Sequence, residues 1–206
     1  MDGARFREAV EDETATELDR MGSSKALMWT TDGDLDPDEV LRAAARAEQL
    51  AAETFARWSD DEDDARATAL FDEVASMERA HAERVDADPG DEGPDALHEH
   101  LRGLDGTIER IAAGLVGRCL VTDATLAQTV SFHVGRAQRS VADTFRAIRE
   151  ENEELLERGL DELEHHCEDE DDWERARDAA EETIRIAYDD YAATLEGMGV
   201  NPKPVC

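Results

Sequence analysis

Two stretches decide how this chain folds: residues 46–58, RAEQLAAETFARW, and residues 71–85, FDEVASMERAHAERV. Around the first, Leu41, Ala44, Glu48, Ala51, Phe55 and Trp58 recur at steps of three and four. Around the second, Ala67, Phe71, Val74, Glu78, His81 and Val85 do the same. That is the period of a helix with one buried face. Asp36-Pro37 suits the start of the first helix, because Asp caps free amides and Pro is preset for the first helical position. Ser59-Asp60-Asp61-Glu62 has the capping-box pattern and is expected to start the second. A short connection between long helices makes antiparallel neighbours. Residues 37–86 are therefore predicted to form a helix hairpin.

Three residues on these stripes are not apolar. Glu48 stands between Ala44 and Ala51, and Glu78 and His81 stand between Val74 and Val85. A buried ionised carboxylate is costly unless it is paired or bound to a metal. Glu48 and Glu78 are centred on residue 63, beside the expected turn, so an antiparallel hairpin brings them to similar heights. Glu78-Arg79-Ala80-His81 puts a carboxylate and an imidazole on one helix face. Carboxylates with imidazole suit iron or manganese between bundle helices. The other reading of the same residues is a hydrogen-bonded polar network without an ion.

The rest of the chain also reads as helical. A short amphipathic helix is expected over about 2–20, then a loop from Gly22 through Asp36. Asp88-Pro89-Gly90-Asp91-Glu92-Gly93-Pro94 is a break. Leu97, Leu101, Leu104, Ile108, Ile111 and Leu115 mark a third helix. Thr122 or Asp123 is expected to cap a fourth, with Leu126, Val130, His133, Ala137, Val141, Phe145 and Ile148. That gives a second hairpin over 95–150 with its turn near 121. C-terminal helices follow over 151–198, the last from about Trp173 to Glu196. Trp58, Phe71, Phe145, Trp173 and Tyr191 read as packing residues. The expectation is one all-α domain over 1–206, an antiparallel four-helix bundle with additional N- and C-terminal helices.

RAEQLAAETFARW and FDEVASMERAHAERV, with Glu48, Phe55 seven residues later and the Glu78/His81 pair, resemble the rubrerythrin-like branch of the ferritin-like superfamily. The resemblance is best over 37–86 and weaker over 95–150. It extends to a haloarchaeal set of such proteins, some labelled transcription antitermination proteins. It implies a ferritin-like bundle and a non-haem di-iron centre used with peroxide, oxygen or iron itself. It also implies a second Glu and a second Glu-x-x-His from the second hairpin. Glu109 is the candidate third-helix carboxylate. Reflected through residue 121, it points to positions 133 and 136, which hold His133 and Arg136, with Arg139 beyond. His133 can ligate a cation; the arginines cannot. Arg136 offers a fixed positive charge for Glu48 or Glu109 in place of a metal. This departure leaves open a metal-free, non-catalytic regulatory or interaction protein on the same scaffold.

Other clusters carry less. Glu162, His165, His166 and Cys167 contain another Glu-x-x-His, expected to be solvated near an acidic helix end. His98 and His100 flank a helix start and are not read as metal ligands. Cys119, Cys167 and Cys206 form no C-x-x-C, so the chain has neither a rubredoxin-type iron site nor a disulfide framework. No nucleophile elbow, P-loop or dinucleotide fingerprint is present.

The charge is extreme. Of 206 residues, 53 are acidic and 22 basic, a net charge of −31, and only Lys25 and Lys203 are lysines. Such a surface repels phosphates, so no direct nucleic-acid binding is expected. No apolar run approaches the ~20 residues of a membrane span, and no secretory signal is visible, so a cytoplasmic location is expected. Acidity spread along a chain that prefers Arg to Lys fits a salt-loving, archaeal setting, where a Debye length of about 3 Å or less screens self-repulsion. The fold is then expected to loosen in low salt; a melting curve that does not move between low and multimolar KCl would overturn this. A homodimer is the expected assembly, because the extra helices offer an apolar face.

Overall fold

In the computed structural model the described residues are 1–203, so Cys206 lies outside them. These residues are all helical apart from turns and loops, and no strand occurs among them. Helix α4 (Pro37–Asp61) and helix α5 (Ala65–Val85) form the expected antiparallel hairpin. Asp36 caps α4 by accepting from the amide of Asp38 at 2.9 Å, with Pro37 at the first position. The cap of α5 is Asp64, whose carboxylate takes the amides of Arg66 and Ala67. Ser59 is not that cap. It lies inside α4, and its hydroxyl donates to the carbonyl of Thr68.

Three short helices, α1 (Gly3–Glu13), α2 (Ala15–Met21) and α3 (Ala26–Thr30), precede the hairpin. Thr14 divides the expected N-terminal helix, and α3 occupies part of the expected loop. Phe6 tilts against Trp173 with ring centroids 5.5 Å apart, which ties α1 to the last helix.

The second hairpin differs from expectation. Helix α6 (Ala96–Arg102) ends at a turn over 103–106. Helix α7 (Thr107–Ile111) then runs through a π-helical segment, Ala112–Gly117, into α8 (Arg118–Gly135) without a break. No turn occurs near 121. The chain reverses at 136–138, and α9 (Arg139–His166) runs back along α8. Thr122 and Asp123 therefore lie inside a helix. Helix α10 (Glu170–Gly197), capped by Asp169, closes the bundle.

The π segment sits at the centre of the core, and small residues let its neighbours approach. A Cβ on Gly114 would lie 2.6 Å from the ring of Trp58 on α4. A Cβ on Gly117 would lie 2.7 Å from the carbonyl oxygen of Ala180 on α10. A Cβ on Gly159 of α9 would lie 2.5 Å from that of Leu115. Phe55, Trp58 and Phe71 pack together beside this point, with centroids 5.1–6.1 Å apart. Gly117→Ala must push backbone rather than a side-chain tip. It is expected to cost about 2 kcal/mol in a denaturant melt, whereas Gly135→Ala, with nothing within 4 Å, is expected to cost nothing measurable. No helix among the described residues is long and apolar enough to cross a membrane.

Candidate metal centre

The α4/α5 hairpin places Glu48, Glu78 and His81 together in the interior, 5 %, 1 % and 1 % exposed. One donor atom from each lies within 4.8 Å of the others, a buried group that could hold a metal ion. His81 Nδ1 is 3.3 Å from Glu48 Oε2 and 3.2 Å from Glu78 Oε2. As charge-assisted hydrogen bonds these are long, since such bonds run at about 2.7–2.9 Å. An ion with bonds of about 2.1 Å sets adjacent donors about 3.0 Å apart in an octahedron and about 3.4 Å in a tetrahedron. The observed separations lie between those two values.

The other face of His81 is fixed by Glu151 of α9. Nε2–H donates to Glu151 Oε2 at 2.8 Å, and Arg84 holds the same carboxylate from outside. This bond assigns the ring its tautomer: the Nδ1 side is left to Glu48 and Glu78.

The fourth buried group is Arg118, 4 % exposed. Its Nη2 donates to Glu78 Oε1 at 2.5 Å, and its guanidinium lies 5.3 Å from the centroid of the Phe55 ring. The π segment puts it there. The amide of Arg118 bonds to the carbonyl of Ala113, five residues back. The carbonyl of Gly114, four back, is taken by the Arg118 side chain through Nε at 3.1 Å. One extra residue in the helical turn thus gives the guanidinium an anchor deep in the core.

These neighbours set the protonation states. Burial, and then the charge of Glu78, push the Glu48 carboxyl up to about 7. Burial acts the same way on Glu78, but Arg118 and His81 outweigh it and hold that carboxyl well below its ordinary value. Burial would lower His81, but its bonds to Glu48 and Glu78 raise it to about 10. Without an ion, His81 and Arg118 are therefore cations, facing an ionised Glu78 and a Glu48 that is about half protonated at neutral pH.

The remaining candidates lie elsewhere. Glu109 is in the first turn of α7 and pairs with Arg175 of α10 at 2.8 Å. His133 is buried at the end of α8, stacked 5.6 Å from Phe145, with Nδ1 donating to Gln138 Oε1 at 2.8 Å. Their expected approach to the centre rested on a turn at 121, and the continuous helix through that point removes it. Arg136 is an exposed residue over the Phe132 ring, bonded to the carbonyl of Leu35, so the buried cation is Arg118 instead. Glu162, expected in solvent, is 8 % exposed and held by Arg66 through two hydrogen bonds of 2.6 and 2.9 Å.

The donor set fits one ion. It does not fit two, because Arg118 occupies the side of Glu78 that a second ion would need and no second Glu–His set converges there among the described residues. A sequence signal for Arg118 existed: it is the one charged residue in the run from Ile111 to Val121, IAAGLVGRCLV. Glu151 gave none, standing in the acidic stretch REENEE. No protein-family model, no curated protein and no solved structure matches the chain.

Proposed function

We propose that this chain is a ferritin-like protein of the rubrerythrin type that holds a single iron or manganese ion between Glu48, Glu78 and His81. The observation that carries the reading is the pair of 3.2 and 3.3 Å separations about His81 Nδ1, which suit ligand edges better than hydrogen bonds. The antiparallel α4/α5 and α8/α9 hairpins, with ligands projecting inward, are consistent with a ferritin-like bundle. A bound ion of this kind would supply one-electron chemistry toward peroxide or oxygen. The chain's own residues would supply the rest. Glu151 orients His81, Arg118 fixes one oxygen of Glu78 and leaves the other for the ion, and Glu48 closes the third side.

A second reading has its own observation. His81 and Arg118 already neutralise Glu48 and Glu78 without any ion. On that reading the network is structural, and the chain is a non-catalytic regulatory or interaction protein on a degenerate ferritin-like scaffold.

Metal analysis separates the two. Protein purified in high salt after iron- or manganese-replete growth is expected to carry about one ion per chain. Glu78→Gln and Glu48→Gln should each lose it while retaining the helical far-UV spectrum. Ion-free protein that takes up neither Fe(II) nor Mn(II) would leave the structural reading standing.

A further inference from the structure

A cavity of about 330 Å³ opens between α3, α4, α6, α8 and α10 and reaches the back of the buried group. Trp29, Ala47, Glu48, His98, Arg118 and Asp190 are among the residues that line it. Its volume is at the lower end of the range for small-molecule sites, about 300–1,000 Å³.

Its inner wall holds polar groups that the protein leaves unsatisfied. Arg118 spends Nε on Gly114 and Nη2 on Glu78 and the Cys119 sulfur, and Nη1 has no hydrogen-bond partner among the described residues. His98 is 3 % exposed; its Nδ1–H donates to Asp95 Oδ1 at 2.7 Å, and its Nε2 has no partner. Buried polar groups in native proteins are nearly always paired, so the open His98 Nε2, beside the free Arg118 Nη1, points to something that fills the cavity. Of the other charged lining groups, Glu48 is paired with His81, Asp95 with His98 and Arg46 with Glu92, which leaves two carboxylates on the outer wall. Asp32 lies exposed at the mouth. Asp190 Oδ2 accepts from the Trp29 indole N–H at 2.7 Å, which holds the indole beside a carboxylate. The second oxygen of Asp190 has no hydrogen-bond partner among the described residues.

We propose that this cavity binds a small zwitterion of α-amino-acid size, with its carboxylate on Arg118 Nη1 and its ammonium toward Asp190 and the Trp29 ring. The order of charge along the cavity makes the choice. A plain amine could give a proton to the His98 Nε2 acceptor only by placing its charge near Arg118, and it would leave Arg118 Nη1 open. A plain carboxylate would satisfy Arg118 but face Asp32 and Asp190 with nothing to offer them. A molecule carrying both charges meets both ends, with the Trp29 face adding a cation–π contact. The site stands whether or not Glu48, Glu78 and His81 hold an ion.

Calorimetric titration of the full chain, in the salt that maintains the fold, tests this with L-valine and its two halves, isobutylamine and isovalerate. Valine is expected to bind saturably, and each half at least about tenfold more weakly. Ala47→Phe places a ring in the cavity from an exposed helix position and is expected to abolish binding. Asp190→Asn keeps an acceptor for Trp29 and is expected to weaken valine about tenfold while leaving isovalerate unchanged. No saturable heat with valine up to about 10 mM would overturn the proposal. So would equal binding of isovalerate and valine, which would mark an anion site only, or unchanged binding in both variants.

Discussion

Replacing Arg118 by methionine is expected to cost about 3–5 kcal/mol of stability. Methionine keeps the length and most of the apolar stem, so the loss is electrostatic. Glu78 is 1 % exposed, and its carboxylate would keep only His81, which it shares with Glu48. The guanidinium also leaves the carbonyl of Gly114. For a chain of this size the melting temperature should fall by roughly 10 °C. The double variant Arg118→Met/Glu78→Leu removes both members of the pair and leaves His81 balanced by Glu48. It is expected to recover most of the loss, to within about 2 kcal/mol of the wild type, because apolar replacement of a whole buried pair is often neutral. Equal instability of the single and double variants would show that Arg118 acts through packing alone. The single variant also discriminates between the two functional readings. A cation 2.5 Å from Glu78 opposes a second cation nearby. If an ion occupies the group, Arg118→Met protein that remains folded should bind it more tightly. If the network is structural, removing Arg118 creates no binding.

The first hairpin was legible because every level of the sequence agreed there. The stripe at steps of three and four, the Asp36-Pro37 start and the clustered acids at 60–64 all mark the same two helices. Only the capping residue differed, because Asp64 can reach two amides at once where Ser59 is still within α4. The second hairpin was not legible, for two local reasons. Thr122 and Asp123 look like a helix start, but they follow the continuous turns of the π segment and have no free amides to cap. The real reversal at 136–138 carries no proline and places Ala137 at φ 60°, a left-handed position usually given to glycine or asparagine. Only Gly135 hinted at it. The centre was half legible for the same cause. Glu48, Glu78 and His81 sit on the legible hairpin and converge. Arg118 reaches them only because a π turn changes the helix phase by one residue, and no periodicity count anticipates that.

The ion-free protein is expected to lose stability as the solution becomes alkaline, and His81 is the residue responsible. Four charged groups face its ring: Glu48 from α4, Glu78 on its own helix, Glu151 from α9 and, across Glu78, Arg118 from α8. The carboxylates raise its pKa from 6.5 to about 10. A raised value means that the folded state binds the proton more tightly than the unfolded one. The stabilisation is therefore complete below pH 6.5 and is lost as pH rises through 10. Glu48, raised to about 7, loses its share earlier, between 4.5 and 7. Glu78 has the opposite sign: its contribution is present above 4.5 and lost in acid. The acid limb is a poor place to look, because 53 carboxylates titrate there together. The alkaline window is nearly empty. The chain has two lysines and two tyrosines, and burial pushes Cys119 to about 12 and Cys167 to about 11. Chelator-treated wild type and His81→Gln should be compared by urea melts from pH 6 to 10. The wild type should lead by about 4–5 kcal/mol at pH 6, and the gap should shrink by about 4 kcal/mol by pH 10. A gap constant across that range would mean that His81 is neutral in the ion-free fold. Below about pH 7 the Glu48 carboxyl would then supply the proton shared with Nδ1, and above it the Nδ1 lone pair would face two carboxylates, an arrangement that a bound cation would relieve.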